Sequence, residues 1–123
     1  MLTRRTSKGR FVSVAKGLAE RILAPVSPER AFYFYTGIGE PTDAVAKSLK
    51  EFVERAKGVQ AKSIEFHLGR GDFENWALML GDTELVKSLV KLRGSGLSGE
   101  KLRAELVRVV QTRVRQLQRS VAR

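Results

Sequence analysis

A chain of 123 residues carrying 23 Lys and Arg against 13 Asp and Glu, for a net charge of +10, is long enough for one domain with a sizeable core. It has no cysteine and a single histidine, which excludes disulfides, thiolate chemistry and the usual zinc sets, so no metal and no cofactor is expected. No apolar run approaches the roughly 20 residues of a membrane helix, and a cytoplasmic location is expected.

The first stretch, Met1–Arg10, is polar, basic and without periodicity, and reads as a flexible arm suited to lie along phosphates. Phe11–Ala24 has the spacing of an amphipathic helix, with Phe11, Val14, Ala15, Leu18 and Ile22 on one stripe. Thr6 or Ser7 is a candidate cap, and Pro25 lies past the end. The stripe is broken by polar and charged residues, so it is not read as a signal peptide. Pro25–Arg30 is a connector. Ala31–Tyr35 is aromatic and β-prone, which predicts one short extended segment near 32–35 with no evident partner strand. Thr36–Glu40 lacks the lysine and third glycine of a phosphate loop, and reads as a tight turn needing a positive φ.

Thr42–Lys57 is predicted as a helix from Val45, Leu49, Phe52, Val53 and Ala56, with an alternative start at Ser48 because Ser48 and Glu51 have capping-box spacing. Gly58 ends it, and Val59–Lys62 links to a short helix around Ile64, His67 and Leu68. Gly69 or Gly71 closes that helix, Asp72 is expected to cap the next one, and Gly81-Asp82 repeats the device. Phe66, Phe73 and Trp76 are expected to form the aromatic centre. Asp82 should open a helix to about Leu92. After the break at Arg93–Leu97, Ser98 should cap a long helix from Gly99 to Arg119 or beyond, its apolar stripe running from Leu102 to Val121. Arg113 falls beside that stripe, where it must snorkel or meet a carboxylate.

The chain thus reads as mainly α, a compact bundle of five to six helices with a long basic C-terminal helix. It divides into a basic arm and amphipathic helix at 1–30, a neutral core at 31–92 and a basic helix at 93–123, in one folding unit. The pattern F-Y-F-Y-T-G-I-G-E-P-T (Phe32–Thr42), S-L-K-E-F (Ser48–Phe52) and S-I-E-F-H-L-x-R-G-D-F-x-x-W…G-D (Ser63–Asp82) resembles a small, mostly archaeal domain family of unknown function. The resemblance covers about Phe32–Leu92 and implies no activity. The scarcity of Asn and Gln beside abundant Arg, Lys and Glu points to a thermophile.

Function is read from charge. Residues 1–30 sum to +5, residues 31–92 to −1 and residues 93–123 to +6, so the whole excess sits in the flanks and implies a polyanionic or acidic partner. On the last helix Arg108, Arg115 and Arg119 fall on one side, opposite the apolar stripe, and Leu106–Arg123 contains no acidic residue. Arginine forks onto phosphate oxygens. The expected contact residues are Arg4, Arg5, Lys8, Arg10, Arg108, Arg115 and Arg119. The expected function is non-specific phosphate contact with nucleic acid, RNA or ribonucleoprotein slightly ahead of duplex DNA. The alternative is a helical protein-interaction module, homodimeric through the C-terminal helix if its apolar stripe exceeds what the core can cover. His67 with Glu65 or Asp72 could in principle exchange protons, but no nucleophile motif accompanies them, and the chain is not expected to be an enzyme.

Overall fold

The computed structural model describes residues 14–122. Six helices and one two-stranded sheet follow in chain order: α1 Lys16–Leu23, β1 Phe32–Gly37, β2 Glu40–Ala46, α2 Leu49–Gly58, α3 Ala61–Arg70, α4 Asp72–Leu80, α5 Thr83–Arg93 and α6 Gly99–Ala122. The mainly helical class and the long C-terminal helix are as expected from the sequence, and the sheet is the departure.

The extended segment at 32–35 does have a partner. Residues 40–46, expected to start a helix at Thr42, form β2 instead, antiparallel to β1 with Phe32 opposite Ala46 and Tyr33 opposite Val45. The reason is the burial of β1. Phe34 is fully enclosed, and an enclosed strand needs hydrogen-bond partners for its backbone. Between Tyr33 and Tyr35 the register shifts. There the Thr42 hydroxyl donates to the Phe34 carbonyl at 2.7 Å and accepts from the Ala44 amide at 3.0 Å. Pro41, which lacks an amide hydrogen, sits opposite Tyr35 within this irregular stretch. The turn between the strands is Ile38-Gly39, and Gly39 takes the positive φ of 72° expected there.

Helix α2 begins at the alternative site. Ser48 Oγ accepts from the Glu51 amide at 3.1 Å, and the Glu51 carboxylate accepts from the Lys47 amide at 2.9 Å. Helix α3 opens at Ala61, inside the stretch expected as a linker, and Gly71 closes it in the left-handed conformation. Asp72 does not cap α4. Its carboxylate faces His67 and Arg70 instead. Asp82 does cap α5, accepting from the Leu85 amide at 3.2 Å. At the other end of the fold, α1 starts at Lys16, later than expected. The Phe11 end of its predicted stripe and the candidate caps Thr6 and Ser7 lie outside the described residues.

The core is centred on Phe32. Its ring lies 4.9 Å from Phe34, 5.6 Å from Phe52, 5.2 Å from Phe73 and 5.7 Å from Trp76, geometries worth about 0.5–1.5 kcal/mol per pair beyond the area they bury. The Trp76 indole N–H donates to the Arg30 carbonyl at 2.8 Å, joining the connector to this cluster. Phe66 is not a member. It is half-buried at the surface, with the Arg70 guanidinium 5.1 Å from its ring centre.

Helix α6 is the common wall. It packs against α1, α2, α3 and α5, burying Leu102, Leu106, Val110, Val114 and Leu117. Its apolar stripe is therefore covered inside the chain. Its first turn is held by the Glu65 carboxylate, which accepts from the Gly99 amide at 2.7 Å. Arg113 resolves as a buried ion pair. Its Nε donates to Asp82 Oδ2 and its Nη2 to Asp82 Oδ1, both at 2.8 Å, so the carboxylate that caps α5 also anchors α6.

Candidate nucleic-acid interface

The outward face of α6 follows from its inward one. With five apolar residues fixed against the core, a helix of 3.6 residues per turn turns Lys101, Arg108, Arg115 and Arg119 to solvent on a single ridge. At about 1.5 Å per residue that ridge runs about 27 Å. Arg115 and Arg119 make no ion pair among the described residues. Arg108 does, with Glu105 one turn earlier, Nε to Oε1 at 3.0 Å. That bond holds the Glu105 carboxyl below its ordinary range and raises Arg108. The acid-free run after Leu106 therefore does not isolate Arg108, since Glu105 lies just outside it.

Three other basic residues of the C-terminal segment are structural. Arg93 pairs with Glu74 at 2.7 Å, and Arg103 pairs with Glu100 at 2.7 Å while donating to the Ala56 carbonyl at 2.7 Å. Arg113 is enclosed with Asp82. The +6 of the sequence segment thus overstates its free positive surface. Lys101, absent from the expected contact set, belongs to the ridge, and its seven-residue spacing from Arg108 was the signal for it.

Arg4, Arg5, Lys8 and Arg10 lie outside the described residues. What the fold does place is the helix that follows them. Helix α1 packs directly on α6.

The central motif has a different geometry. His67 is buried, with Nδ1 2.8 Å from Asp72 Oδ2, while its Nε2 accepts the Tyr35 backbone N–H at 2.8 Å. An accepting Nε2 fixes the proton on Nδ1, so the ring is neutral and donates to Asp72. Burial pushes the imidazole below its ordinary value, Asp72 pulls it back up and Arg70 adds to the fall. Both nitrogens are committed, one to the hairpin and one to the junction of α3 and α4. Glu65, the other carboxylate considered with it, is engaged at Gly99. Beside His67 a groove of about 360 Å³ opens between the hairpin and α3, walled by Tyr33, Tyr35, Ile38, Phe66 and Arg70.

No group of three or more His, Asp or Glu among the described residues could hold a metal ion, and no described helix is long and apolar enough to cross a membrane. The molecule is a mainly helical protein built on one long helix, with a small hairpin and a basic ridge. Compared with known proteins, the chain matches no family, no curated protein and no solved structure.

Proposed function

We propose that this is a small nucleic-acid-binding protein that grips phosphates without reading sequence, through the α6 ridge and the basic segment preceding α1, with RNA slightly ahead of duplex DNA. The observation that carries the reading is the exposed, carboxylate-free pair Arg115 and Arg119 on the helix against which α1 packs. A guanidinium with no internal partner is available to a phosphate at little rearrangement, and two on one face track a backbone. The committed nitrogens of His67 support a binder rather than a catalyst. Membership of the archaeal family whose pattern spans Phe32–Leu92 is part of the same proposal and adds no activity to it.

The test is binding of fluorescent single-stranded RNA and duplex DNA by the whole chain between 50 and 200 mM salt. With about five phosphates neutralised, affinity falls several hundred-fold across that range. Arg115→Gln with Arg119→Gln flattens the salt dependence by about two powers of salt concentration. No binding at 50 mM salt overturns the proposal, and a salt-insensitive, concentration-dependent mass would favour the protein-interaction alternative.

A further inference from the structure

Beyond the basic ridge, the groove beside His67 has chemistry that the phosphate-gripping reading does not use. The alternation of the β1 sequence sends Phe32 and Phe34 into the core and leaves Tyr33 nearly half exposed, with Tyr35 partly so. Ile38, at the tip of the hairpin, is 84% exposed. Phe66 completes the apolar wall from α3, under the Arg70 guanidinium. Rings from two elements thus flank a recess whose floor is the buried imidazole, 6.5 Å from the Tyr35 ring and 5.0 Å from Phe66.

The electrostatics of the rim decide what such a recess accepts. Two carboxylates stand near it, and both are already answered. Asp72 takes His67 Nδ1 and Arg70 Nε, and Glu40 lies 3.9 Å from the Lys62 ammonium. Arg70 is engaged through Nε alone among the described residues, leaving its two terminal nitrogens and about half its side-chain surface to solvent. An acidic or strongly polar peptide finds no ladder of backbone partners here, because the outer side of β1 is closed by the bond from Tyr35 N–H to His67. A flat ring carrying a phosphate finds both of its needs, aromatic walls and a forked cation.

We infer that this groove holds one unpaired nucleotide of a single-stranded segment, its base packed among Tyr35, Ile38 and Phe66 and its phosphate at Arg70. The inference rests on the phosphate-binding reading and deepens it. The ridge on α6 supplies sequence-independent affinity, and the groove supplies a preference for single strands, since a paired base cannot enter. The volume suits one base with its sugar and not a stacked run.

The experiment uses the whole chain and three fluorescent probes of equal phosphate count: a single-stranded RNA, a fully paired duplex of half its length, and an abasic strand of its full length. The wild-type chain binds the single strand about ten-fold more tightly than the abasic one. Ile38→Ser, at the exposed hairpin tip, removes much of that difference and leaves the salt dependence nearly unchanged, whereas Arg70→Gln weakens base-bearing and abasic strands alike and flattens the salt dependence by about one power. Photo-crosslinking of a 4-thiouridine strand attaches to Tyr35 or Phe66. Equal affinity for base-bearing and abasic strands overturns the groove assignment while leaving phosphate binding standing. Absence of binding to every probe at 50 mM salt overturns both. A dimer abolished by Ile38→Glu assigns the groove to a second copy and overturns the inference as well.

Discussion

Asp82 and Arg113 give the sharpest test of how this fold is held. Both side chains are enclosed, 0% and 8% exposed, and they meet through two bonds of 2.8 Å. Asp82 also caps α5 through the Leu85 amide. Asp82→Ser keeps an oxygen for the cap and removes the partner of a buried guanidinium, which costs about 3–5 kcal/mol. Arg113→Met strands the carboxylate instead, at a similar cost of about 3–5 kcal/mol. The double variant removes both charges and fills the space with an apolar chain of similar length, so its loss should be about 0–2 kcal/mol. The three values are far from additive, giving a coupling energy of about 3 kcal/mol or more. Denaturant unfolding at pH 7, followed by the fluorescence of the single tryptophan, Trp76, measures all three. Since small domains are stable by only about 5–15 kcal/mol, either single variant should lower the midpoint severely. A double variant as unstable as the two singles combined would refute the reasoning, as would an Asp82→Ser loss under about 1 kcal/mol.

Other expectations follow from single groups. Because burial holds the folded His67 imidazole below its ordinary value, the unfolded chain binds its proton first as pH falls. Stability is therefore fully present above the unfolded value and declines below it, by at most about 1.4 kcal/mol per pH unit for one proton. Unfolding midpoints between pH 7.5 and 5 show this, and a pH-independent midpoint contradicts the neutral-ring geometry. Glu105→Gln frees Arg108 from its ion pair, so nucleic-acid affinity should rise several-fold at 50 mM salt and the salt dependence should steepen by about one power. A fall in affinity would remove Arg108 from the ridge. Gly39→Ala forces a Cβ onto a φ of 72° and should lower stability by about 1 kcal/mol, whereas Gly39→Asn recovers much of that loss. Equal losses for the two would show that the turn relaxes its φ.

The helical part of the fold was legible because it obeys local rules. Ser48 and Asp82 cap where their spacing to the following helix indicates, Gly71 and Gly81 close helices in the left-handed conformation, and the stripe from Leu102 to Leu117 is buried. What failed depended on partners distant in sequence. Residues 42–46 satisfy a helical period, and only the need of enclosed Phe34 for a hydrogen-bonded neighbour turns them into a strand. Asp72 has the composition of a cap, but His67 and Arg70 hold its carboxylate elsewhere. At the candidate interface, Arg108, Arg115 and Arg119 reach solvent as their spacing indicates. Glu105, the partner of Arg108, lies one residue before the acid-free stretch Leu106–Arg123, and Lys101 lies one heptad before Arg108. The groove was not legible at all, since it exists only where the hairpin meets α3.

The placement of α6 also sets an order of events during synthesis. A nascent chain presents α1, the hairpin and α2 to α5 before α6 has been made, yet α6 covers four of those helices. Until it emerges, the faces that close over Leu106, Val110 and Leu117 have nothing to bury against, and the carboxylate of Asp82 waits without its arginine. The hairpin, α2 and α4 can gather the rings around Phe32 beforehand, but the faces under α6 close only once that helix is present.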